Sequence, residues 1–407
     1  MKILVLNCGS SSLKFQIIET TPELSAANRD RPIARGEVSR IGNRDGKISF
    51  QAAGRDKVEQ ARAVPTHDAA LAAGFECLTE SGIARLEEIE AVGHRIVHGA
   101  DFFQHSVVMN AEVVRLIESC SELAPLHNPH NLRGYYASRQ LLPQAANVAV
   151  FDTAFHHTIP PRAYLYGIPY EYYTRYKIRR YGFHGTSFRY VSHRFAQIQG
   201  KPRESIKTIV CHLGNGASIC AIDGGKSVDT SMGFTPLEGL LMGTRPGDLD
   251  AGVLTHLMRS EGKNPVEMDA LLNERCGLLG ISGLSNDMQE LLAAAARGEK
   301  RAEEAIAIFC YRATKYIGAY VAALNGTGSV IFTGGIGENA PSIRARICEP
   351  LGALGIKLDP EQNAAAVGHE AQIGAHGCCP AVWVIPTNEE LLIARDTMNA
   401  VLKLPLE

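Results

Sequence analysis

The sequence predicts an α/β fold built from two related halves. Apolar stretches of strand length alternate with helix-like stretches along the whole chain, which is typical of layered α/β proteins. A strand–glycine turn–strand pattern occurs twice, with Gly9 and Gly216 at equivalent places 207 positions apart in a chain of 407 residues. The length by itself predicts two or three domains.

The first half contains four predicted strands and one predicted helix. Apolar runs indicate the strands, and apolar residues at helical spacing before Pro125 indicate the helix. In chain order these elements are 2–6, 13–18, 92–97, 111–123 (the helix) and 147–151. Residues 160–182 are rich in Tyr, Pro and Arg and have no clear period, so we interpret them as a hinge or an interface.

The second half begins with the repeated hairpin over 208–222. A long helix is predicted from Ala302 to Leu324, where Asn325-Gly326 ends it. The strand 329–333 runs into a further glycine turn, and the chain closes with a strand over 381–385 and a helix from about 388 to 402. Glu389 and Glu390 lie in the first turn of that helix.

The composition excludes two classes of protein. The 41 basic and 43 acidic side chains give a formal charge of −2, which lacks the positive footprint of a nucleic-acid-binding surface. No window reaches the roughly 18 apolar residues of a membrane span, and Ile3 to Leu6 is shorter than the roughly 7–15 apolar residues of a signal-peptide core. Ten cysteines without a CxxC pair predict free, mostly buried thiols. We therefore expect a cytoplasmic protein with neither nucleic acid nor a membrane as a partner.

Three glycine-rich turns, each after a predicted strand, are the main functional signal. Glycine lets backbone N–H groups approach an anion closely, so such turns suit phosphate groups. The first turn adds Asn7, the hydroxyls of Ser10, Ser11 and Ser12, and the ammonium group of Lys14. This set suits a terminal phosphate and its metal ion. The sequence thus predicts a nucleotide-binding protein.

One alternative is a dinucleotide-binding oxidoreductase. Gly335-x-Gly337-x-x-Ala340 follows a strand, precedes a predicted helix and has Asp359 downstream near the spacing of a ribose ligand, as in a Rossmann motif. This interpretation leaves the other two glycine turns unexplained. A second alternative, a nucleotide-binding module without phosphoryl transfer, leaves the arginines described next without a role.

Isolated polar residues follow several apolar stretches. They are Arg95, His127, Asp152, His184 and Arg245. Guanidinium and imidazole groups beside phosphate-binding turns suit phosphoryl transfer, because charge develops on the equatorial oxygens of the transferred group. His94 and His98 are four positions apart, but their β-branched neighbours favour a strand and no HExxH glutamate is present, so a zinc site is disfavoured.

Taken together, the motifs resemble those of the acetate kinase family. The matching segments, in order from residue 7 to residue 390, are 7–15, 94–99, 180–187, 212–218, 232–245, 334–339 and 387–390. The resemblance implies the actin, heat-shock chaperone and sugar-kinase superfold, with two duplicated ribonuclease-H-like domains and a nucleotide cleft between them. We expect an N-terminal domain of residues 1–152 plus 386–407 and a nucleotide-binding domain of residues 153–385.

The resemblance also implies reversible, magnesium-dependent transfer of the ATP γ-phosphate to acetate, giving acetyl phosphate and ADP. It implies a homodimer and Mg²⁺, with Mn²⁺ as a substitute, held by Asn7 and Glu389. It makes Asp152, His184, Arg245, Arg95 and His127 catalytic, with Arg95 also binding the carboxylate. The implied methyl pocket is Val97, Leu126, Phe183 and Pro236. The implied nucleotide contacts are Lys14, Ser10, Ser12, His212, Leu213, Gly214, Asn215, Gly216, Asp287, Met288, Gln289, Gly335, Ile336, Gly337, Glu338 and Asn339.

Two points stay open within this resemblance. Propionate or another short-chain carboxylate is an alternative acceptor, because one methylene changes discrimination by only about 10–200-fold. Gln289 stands where the family usually has arginine, and losing that guanidinium is expected to weaken adenine stacking or alter nucleotide choice.

Overall fold

The computed structural model describes residues 1–9, 12–43, 45–80, 82, 85–125 and 127–406. The chain divides into two compact units. Unit 1 is Met1–Phe155 with Asn388–Glu407, and unit 2 is His156–Thr387. Each unit is built around its own β-sheet.

The strands and helices are numbered here along the chain. The strands are β1 Lys2–Cys8, β2 Ser12–Glu19, β3 Arg31–Ser39, β4 Lys47–Ala52, β5 Val58–Ala61, β6 Ala91–Ile96, β7 Val107–Val108, β8 Ala146–Phe151, β9 Lys207–Leu213, β10 Ala217–Asp223, β11 Lys226–Thr230, β12 Ser329–Thr333, β13 Ala371–Gln372 and β14 Ala381–Val384. The helices are α1 Pro22–Ala26, α2 His67–Glu80, α3 Ala111–Ser119, α4 Asn128–Leu141, α5 Pro161–Tyr164, α6 Tyr170–Tyr176, α7 Gly185–Ile198, α8 Ala251–Glu261, α9 Pro265–Glu274, α10 Gly277–Ser282, α11 Met288–Ala296, α12 Lys300–Ala323, α13 Gly334–Asn339, α14 Pro341–Cys348, α15 Pro360–Ala365 and α16 Glu389–Leu402.

Unit 1 has a mixed sheet in the order β5-β4-β3-β2-β1-β6-β8-β7. Strands β1 to β5 form an antiparallel meander, whereas β1, β6 and β8 are parallel. The hairpin between β1 and β2 pairs Asn7 with Lys14 and Cys8 with Leu13. The predicted strands of the first half are therefore confirmed.

Helices cover the two faces of this sheet. On one face, residues of β1 to β4 form a core with α2, and α4 also packs on β1 and β6. On the other face, Ile393, Ala394 and Met398 of α16 pack against Ile3 and Val5 of β1. The last helix of the chain therefore completes the core of the first unit.

Unit 2 repeats this arrangement in a six-stranded sheet of order β11-β10-β9-β12-β14-β13. Its leading strand β9 pairs antiparallel with β10 and parallel with β12, as β1 pairs with β2 and β6. The following strand, β14, is again parallel to β12, as β8 is to β6. The predicted α/β class with two related halves is confirmed, because five successive strands have the same order and directions in both sheets.

Most other predicted elements also agree with the structure. The helix predicted over 111–123 is an α-helix to Ser119 and a 3₁₀ turn over Cys120–Glu122. The aperiodic segment 160–182 contains only the short helices α5 and α6. All ten cysteines lie in the described part of the chain and are free thiols. Among the described helices, none combines the length and the apolar character that crossing a membrane requires.

Candidate functional site

In unit 1, three parallel strands bring predicted site residues to one edge of the sheet. Asn7 lies near the end of β1, Arg95 near the end of β6, and Asp152 directly after β8. The Arg95 Nη2 atom is 2.6 Å from Asp152 Oδ2, and Nε is 3.1 Å from both carboxylate oxygens. Arg95 Nη1 also donates to Asn7 Oδ1 over 3.3 Å. Carboxyl ends of parallel strands are where ligands usually bind in α/β folds.

The charged groups around Arg95 influence one another's pKa values. Burial alone would lower the pKa of Arg95, but the carboxylates of Asp152 and Glu389 raise it above its usual value. The pKa of Glu389 is also raised, first by burial and then by Asp152 and Glu390, while Arg95 and Lys14 act in the opposite direction. Glu389 begins α16, and its neighbour Asn388 caps that helix by accepting from Leu391 N–H. Asn7, Lys14, Arg95, Asp152 and Glu389 therefore form one electrostatic cluster.

This cluster offers hard oxygen donors, an amide at Asn7 and a carboxylate at Glu389. Within the described residues, no group of three or more His, Cys, Asp or Glu side chains could hold a metal ion alone. Mg²⁺ usually binds through one or two protein oxygens together with substrate phosphates and water, rather than in a complete protein cage. The residues present therefore fit a magnesium ion that arrives with a nucleotide.

The loop after β6 is held by two buried asparagines that the sequence analysis did not assign. Asn131 Oδ1 accepts from Val97 N–H over 3.1 Å, and Asn128 Oδ1 accepts from His98 N–H over 3.1 Å. Asn131 also donates to the Cys8 carbonyl at the end of β1 over 2.7 Å. His127 precedes α4, the helix that carries both asparagines. Three predicted residues, Ser10, Ser11 and Leu126, lie outside the described residues.

His94 is a core residue. Its Nε2 lies 2.8 Å from Asn147 Oδ1, the residue is 1 % exposed, and its Nδ1 atom has no hydrogen-bond partner among the residues that the structure describes. Burial lowers the pKa of His94 to about 4, although the Asn147 contact opposes this shift. The neutral imidazole with a proton on Nε2 fits this environment. The prediction that His94 belongs to a strand and not to a zinc site agrees with this placement.

We expect His94 to make unit 1 sensitive to acid. In the unfolded chain its pKa is near 6.5, so the unfolded state takes up the proton first and stability falls as the pH decreases from 6.5 towards 4. This one group accounts for about 1.5 kcal/mol between pH 6.5 and pH 5. Chemical denaturation followed by circular dichroism should show that His94→Gln removes this part of the pH dependence. An equal pH dependence in the variant would contradict the assignment.

In unit 2, two imidazole rings stack beside a glycine turn. The rings of His184 and His212 lie 4.3 Å apart between centroids, at an interplanar angle of 25°. His184 Nδ1 is 2.8 Å from Ser218 Oγ, and His212 Nδ1 is 2.8 Å from Ser187 Oγ. His184 precedes α7 in a left-handed conformation with φ of 57°, which is uncommon for a residue other than glycine. The two serines therefore orient both rings through their Nδ1 atoms.

Arg245 lies next to these rings. A Cβ atom at Gly216 would lie 2.9 Å from Arg245 Nη2 and 3.4 Å from His184 Nε2, so all three residues meet at the β9–β10 turn. Arg245 Nη1 donates to the Pro236 carbonyl over 2.8 Å. No carboxylate within the described residues forms an ion pair with Arg245, and burial lowers its pKa to about 10. A buried cation without a carboxylate partner is unfavourable by itself, so an anionic ligand would stabilise Arg245.

In unit 2 the glycine turn at 212–216 lies against several other segments of the chain. Asn286 Nδ2 donates to Asn215 Oδ1 over 3.1 Å, and Gly243 N–H donates to the Asn215 carbonyl over 2.8 Å. Gly334 has φ of +77°, and a Cβ atom there would lie 2.8 Å from the Leu213 carbonyl oxygen. The turn at 212–216 therefore contacts both the segment before α11 and the segment that begins α13.

Several residues predicted to contact a nucleotide also have structural partners. Asp287 caps α11 by accepting from Gln289 and Glu290 N–H, Met288 is buried, and Gln289 is exposed. Glu338 Oε1 accepts from the N–H groups of Gly334 and Thr387 over 2.8 and 3.1 Å. In the same segment Gly335 and Asn339 are exposed, Ile336 is half-buried and Gly337 is buried. Phe183, which is predicted to contact the methyl group of acetate, is buried.

Ser12 of the first hairpin and Asp359 downstream of the Rossmann-like segment both make local backbone contacts. Ser12 is the first residue of β2, and its carbonyl accepts from Gly9 N–H over 2.8 Å, which closes the hairpin opposite Lys14. Asp359, the ribose ligand of the dinucleotide alternative, instead caps α15 by accepting from Glu361 and Gln362 N–H. Its carboxylate thus has a local structural use.

Comparison with known proteins places these features in a family. A family model described as the Acetokinase family matches residues 2–395. Acetate kinase from Chloroherpeton thalassium is 50 % identical over 416 residues, covering 99 % of this chain and 100 % of that protein. The crystal structure of Porphyromonas gingivalis acetate kinase has a TM-score of 0.90 at 42 % identity and covers 98 % of this chain and 99 % of its own. A propionate kinase from Francisella tularensis has the same TM-score and coverage at 41 % identity. The chain belongs to the acetokinase family.

Proposed function

We propose that this chain catalyses reversible, magnesium-dependent transfer of the γ-phosphate of ATP to acetate, giving acetyl phosphate and ADP. Its membership of the acetokinase family supports a kinase with a carboxyl group as acceptor. The observation that carries the proposal is the buried Arg245 guanidinium beside His184 and Gly216, without a carboxylate partner among the described residues. Such a group suits an anionic ligand more than a structural ion pair.

The chemistry needs no general base. A carboxylic acid with a pKa near about 4–5 is already ionised at neutral pH, so its oxygen can attack directly. A new bond forms between that oxygen and the γ-phosphorus atom, while the bond from the γ-phosphorus to the bridging oxygen of ADP breaks. The main barrier is the repulsion between two anions. The protein therefore has to neutralise and orient them.

Arg95 is proposed to bind the acetate carboxylate. Its described contacts to Asp152 and Asn7 use Nε–H, one Nη2 hydrogen and one Nη1 hydrogen, which leaves two of the five guanidinium donors. Asp152 then acts by orienting Arg95, since its carboxylate is 1 % exposed and engaged by that guanidinium. His184 and Arg245 are proposed to stabilise the charge on the transferred group, and His127 to assist at the same stage.

The nucleotide and its metal are proposed to use the glycine turns. Asn7 and Glu389 would hold Mg²⁺, or Mn²⁺ in its place, and the ion would supply charge neutralisation for the phosphates. Lys14, Ser10 and Ser12 in the first hairpin are proposed phosphate contacts. In unit 2 the proposed contacts are His212 to Gly216, Asp287 to Gln289 and Gly335 to Asn339, with Met288 contributing backbone because its side chain is buried.

Propionate is the second candidate acceptor. A propionate kinase matches this chain with a TM-score of 0.90, the same as the acetate kinase structure. We propose that Val97, Leu126, Phe183 and Pro236 contact the alkyl group of the acid. Val97 and Phe183 are buried and Pro236 is half-buried. On the family resemblance, acetate is proposed as the preferred acceptor.

Assembly and location are proposed on the family resemblance. A homodimer is consistent with exposed Tyr170, Tyr172 and Tyr176 on α6, because exposed aromatic clusters mark interfaces. A cytoplasmic location is consistent with ten free cysteines, which persist in reducing compartments.

The proposal is tested by coupled measurement of ADP release with Mg·ATP and acetate, propionate or butyrate. We expect carboxylate-dependent ADP release that is most efficient with acetate. In Arg95→Ala, the KM for acetate should rise at least about tenfold, since a hydrogen bond between charged groups is lost. Glu370→Gln alters an exposed ion pair with Arg194 and serves as the control. It should leave kcat and the KM for acetate unchanged. The absence of carboxylate-dependent ADP release with all three acids would contradict the proposal.

A further inference from the structure

Unit 2 contains a polar cluster that the reaction itself does not use. Arg180 Nη2 is 2.5 Å from Glu238 Oε1, and Tyr166 OH donates to Glu238 Oε2 over 2.5 Å. The Arg180 side chain is 16 % exposed. Burial and the Glu238 carboxylate raise the pKa of Tyr166, so its hydroxyl stays a donor at neutral pH. We call Arg180, Glu238 and Tyr166 the Arg180 clamp.

The clamp holds the backbone of the segment 230–238. Arg180 Nη1 donates to the carbonyls of Thr230, Ser231 and Met232 over 2.8, 3.2 and 3.2 Å. The Tyr166 hydroxyl accepts from Phe234 N–H over 2.8 Å. One guanidinium, one carboxylate and one phenol therefore fix both ends of this irregular segment, which has no helix or strand of its own beyond Thr230.

Two glycines show how closely the segment fits the clamp. A Cβ atom at Gly233 would lie 1.8 Å from Glu238 Oε2 and 2.2 Å from Tyr166 OH. At Gly239, φ is +108° and a Cβ atom would lie 2.5 Å from the Ser231 carbonyl oxygen. No larger residue fits at either position without displacing the clamp or the backbone that it holds.

The clamped segment leads directly to proposed reaction residues. Pro236 lies between Phe234 and Glu238, and its carbonyl accepts from Arg245 Nη1 over 2.8 Å. On the other side, Gly182 N–H donates to the Gly233 carbonyl over 3.2 Å, and Phe183 and His184 follow at once in the chain. The clamp is thus linked to Pro236, Arg245 and Phe183 through a few residues of backbone and the hydrogen bonds just described.

We propose that the Arg180 clamp sets the discrimination between acetate and longer acids by holding Pro236 and, through the Pro236 carbonyl, Arg245. This inference rests on the proposed function. The three clamp residues are positioning residues, because they act through Pro236 and Arg245. An acid with one more methylene group is expected to displace Pro236. The Arg245 guanidinium then moves as well, because it is bound to the Pro236 carbonyl. Discrimination between the two acids therefore appears in kcat as well as in KM.

The test compares Tyr166→Phe and Glu238→Gln with wild type in kcat and KM for acetate, propionate and Mg·ATP. We expect the acetate-to-propionate ratio of kcat/KM to fall about threefold to tenfold, within the roughly 10–200-fold that one methylene can provide. Most of the change should lie in kcat for acetate, and the KM for Mg·ATP should stay within twofold of wild type. Glu370→Gln is again the matched control, because it makes the same chemical change at an exposed ion pair of the same unit.

The selectivity ratio does not depend on how much of the protein is active, so partial unfolding cannot produce the expected result. A lower kcat for both acids with an unchanged ratio in the two variants would overturn the inference and indicate a structural role only. If Glu238→Gln does not fold, Tyr166→Phe decides, since it removes one hydroxyl and keeps the ion pair. Failure of the proposed function is distinct, because wild-type protein would then release no ADP with either acid.

Discussion

Replacing Arg245 with alanine is expected to lower kcat by about 10²–10³, the typical loss when one donor to a developing charge is removed. The guanidinium lies beside His184 Nε2 at the Gly216 turn and is not neutralised by any carboxylate among the described residues. Its full charge is therefore available to the transferred group. Steady-state kinetics at saturating acetate and Mg·ATP measure the effect.

Arg245→Lys is the informative companion. Lysine keeps the charge, but a single ammonium group cannot hold the Pro236 carbonyl and also present a second donor in the fixed geometry of a guanidinium. We expect kcat between those of wild type and Arg245→Ala. A lysine variant as active as wild type would show that charge alone is needed and that the contact with Pro236 is dispensable.

Asp152→Asn should lose less activity than Arg245→Ala. Asparagine retains one oxygen that can accept from Arg95, and the proposed nucleophile needs no base. The remaining loss reflects weaker orientation of Arg95, which should appear mainly in the KM for acetate. Measured kcat values in the opposite order would assign Asp152 a direct part in the chemistry.

Much of the fold could be predicted because short apolar runs and glycine turns are local signals. Strands β1, β2, β9 and β10 follow from their apolar residues, and the two hairpins from Gly9 and Gly216. The order of strands within each sheet has a less direct signal. The repeat of the hairpin pattern is the one sequence feature from which this strand order could be inferred. The repeat reflects the common order of five strands in both sheets.

The candidate site was predictable for residues at or directly after the ends of strands, such as Arg95 and Asp152, but not for the residues that hold them in place. Ser218, which contacts His184, lies in an apolar strand within the matching segment 212–218, but its position in the sequence does not show that it meets the His184 ring. Asn131, which accepts from Val97 N–H, lies in a helix and has no local motif. Their importance depends on which distant backbone or ring they meet in the folded chain. The helix cap that Asp287 forms was likewise available from the sequence only as an N-cap preference.

Arg344 is the clearest residue that sequence reasoning missed. It is fully buried in α14 and forms no ion pair with a carboxylate in the described part of the chain, yet it makes five hydrogen bonds. Nη1 donates to the carbonyls of Gly337 and Glu338, Nη2 to those of Asn363 and Ala366, and Nε to Asn363 Oδ1, over 2.7–3.1 Å. Burial lowers its pKa to about 10. This single side chain joins the end of α13 to α15.

We expect Arg344→Met to reduce the free energy of unfolding of unit 2 by about 3–5 kcal/mol, because several buried carbonyls then lose their donors. Arg346→Met, two positions along the same helix, removes an exposed ion pair with Glu303 and should change the free energy by less than about 1 kcal/mol. Fluorescence of Trp383, the one tryptophan of the sequence, reports on unit 2 during urea unfolding because it lies in β14. Since Gly337 and Glu338 lie in the proposed nucleotide segment, the KM for Mg·ATP should rise in Arg344→Met and stay constant in Arg346→Met. Equal effects of the two substitutions on unfolding would show that the buried hydrogen bonds of Arg344 do not stabilise this part of unit 2.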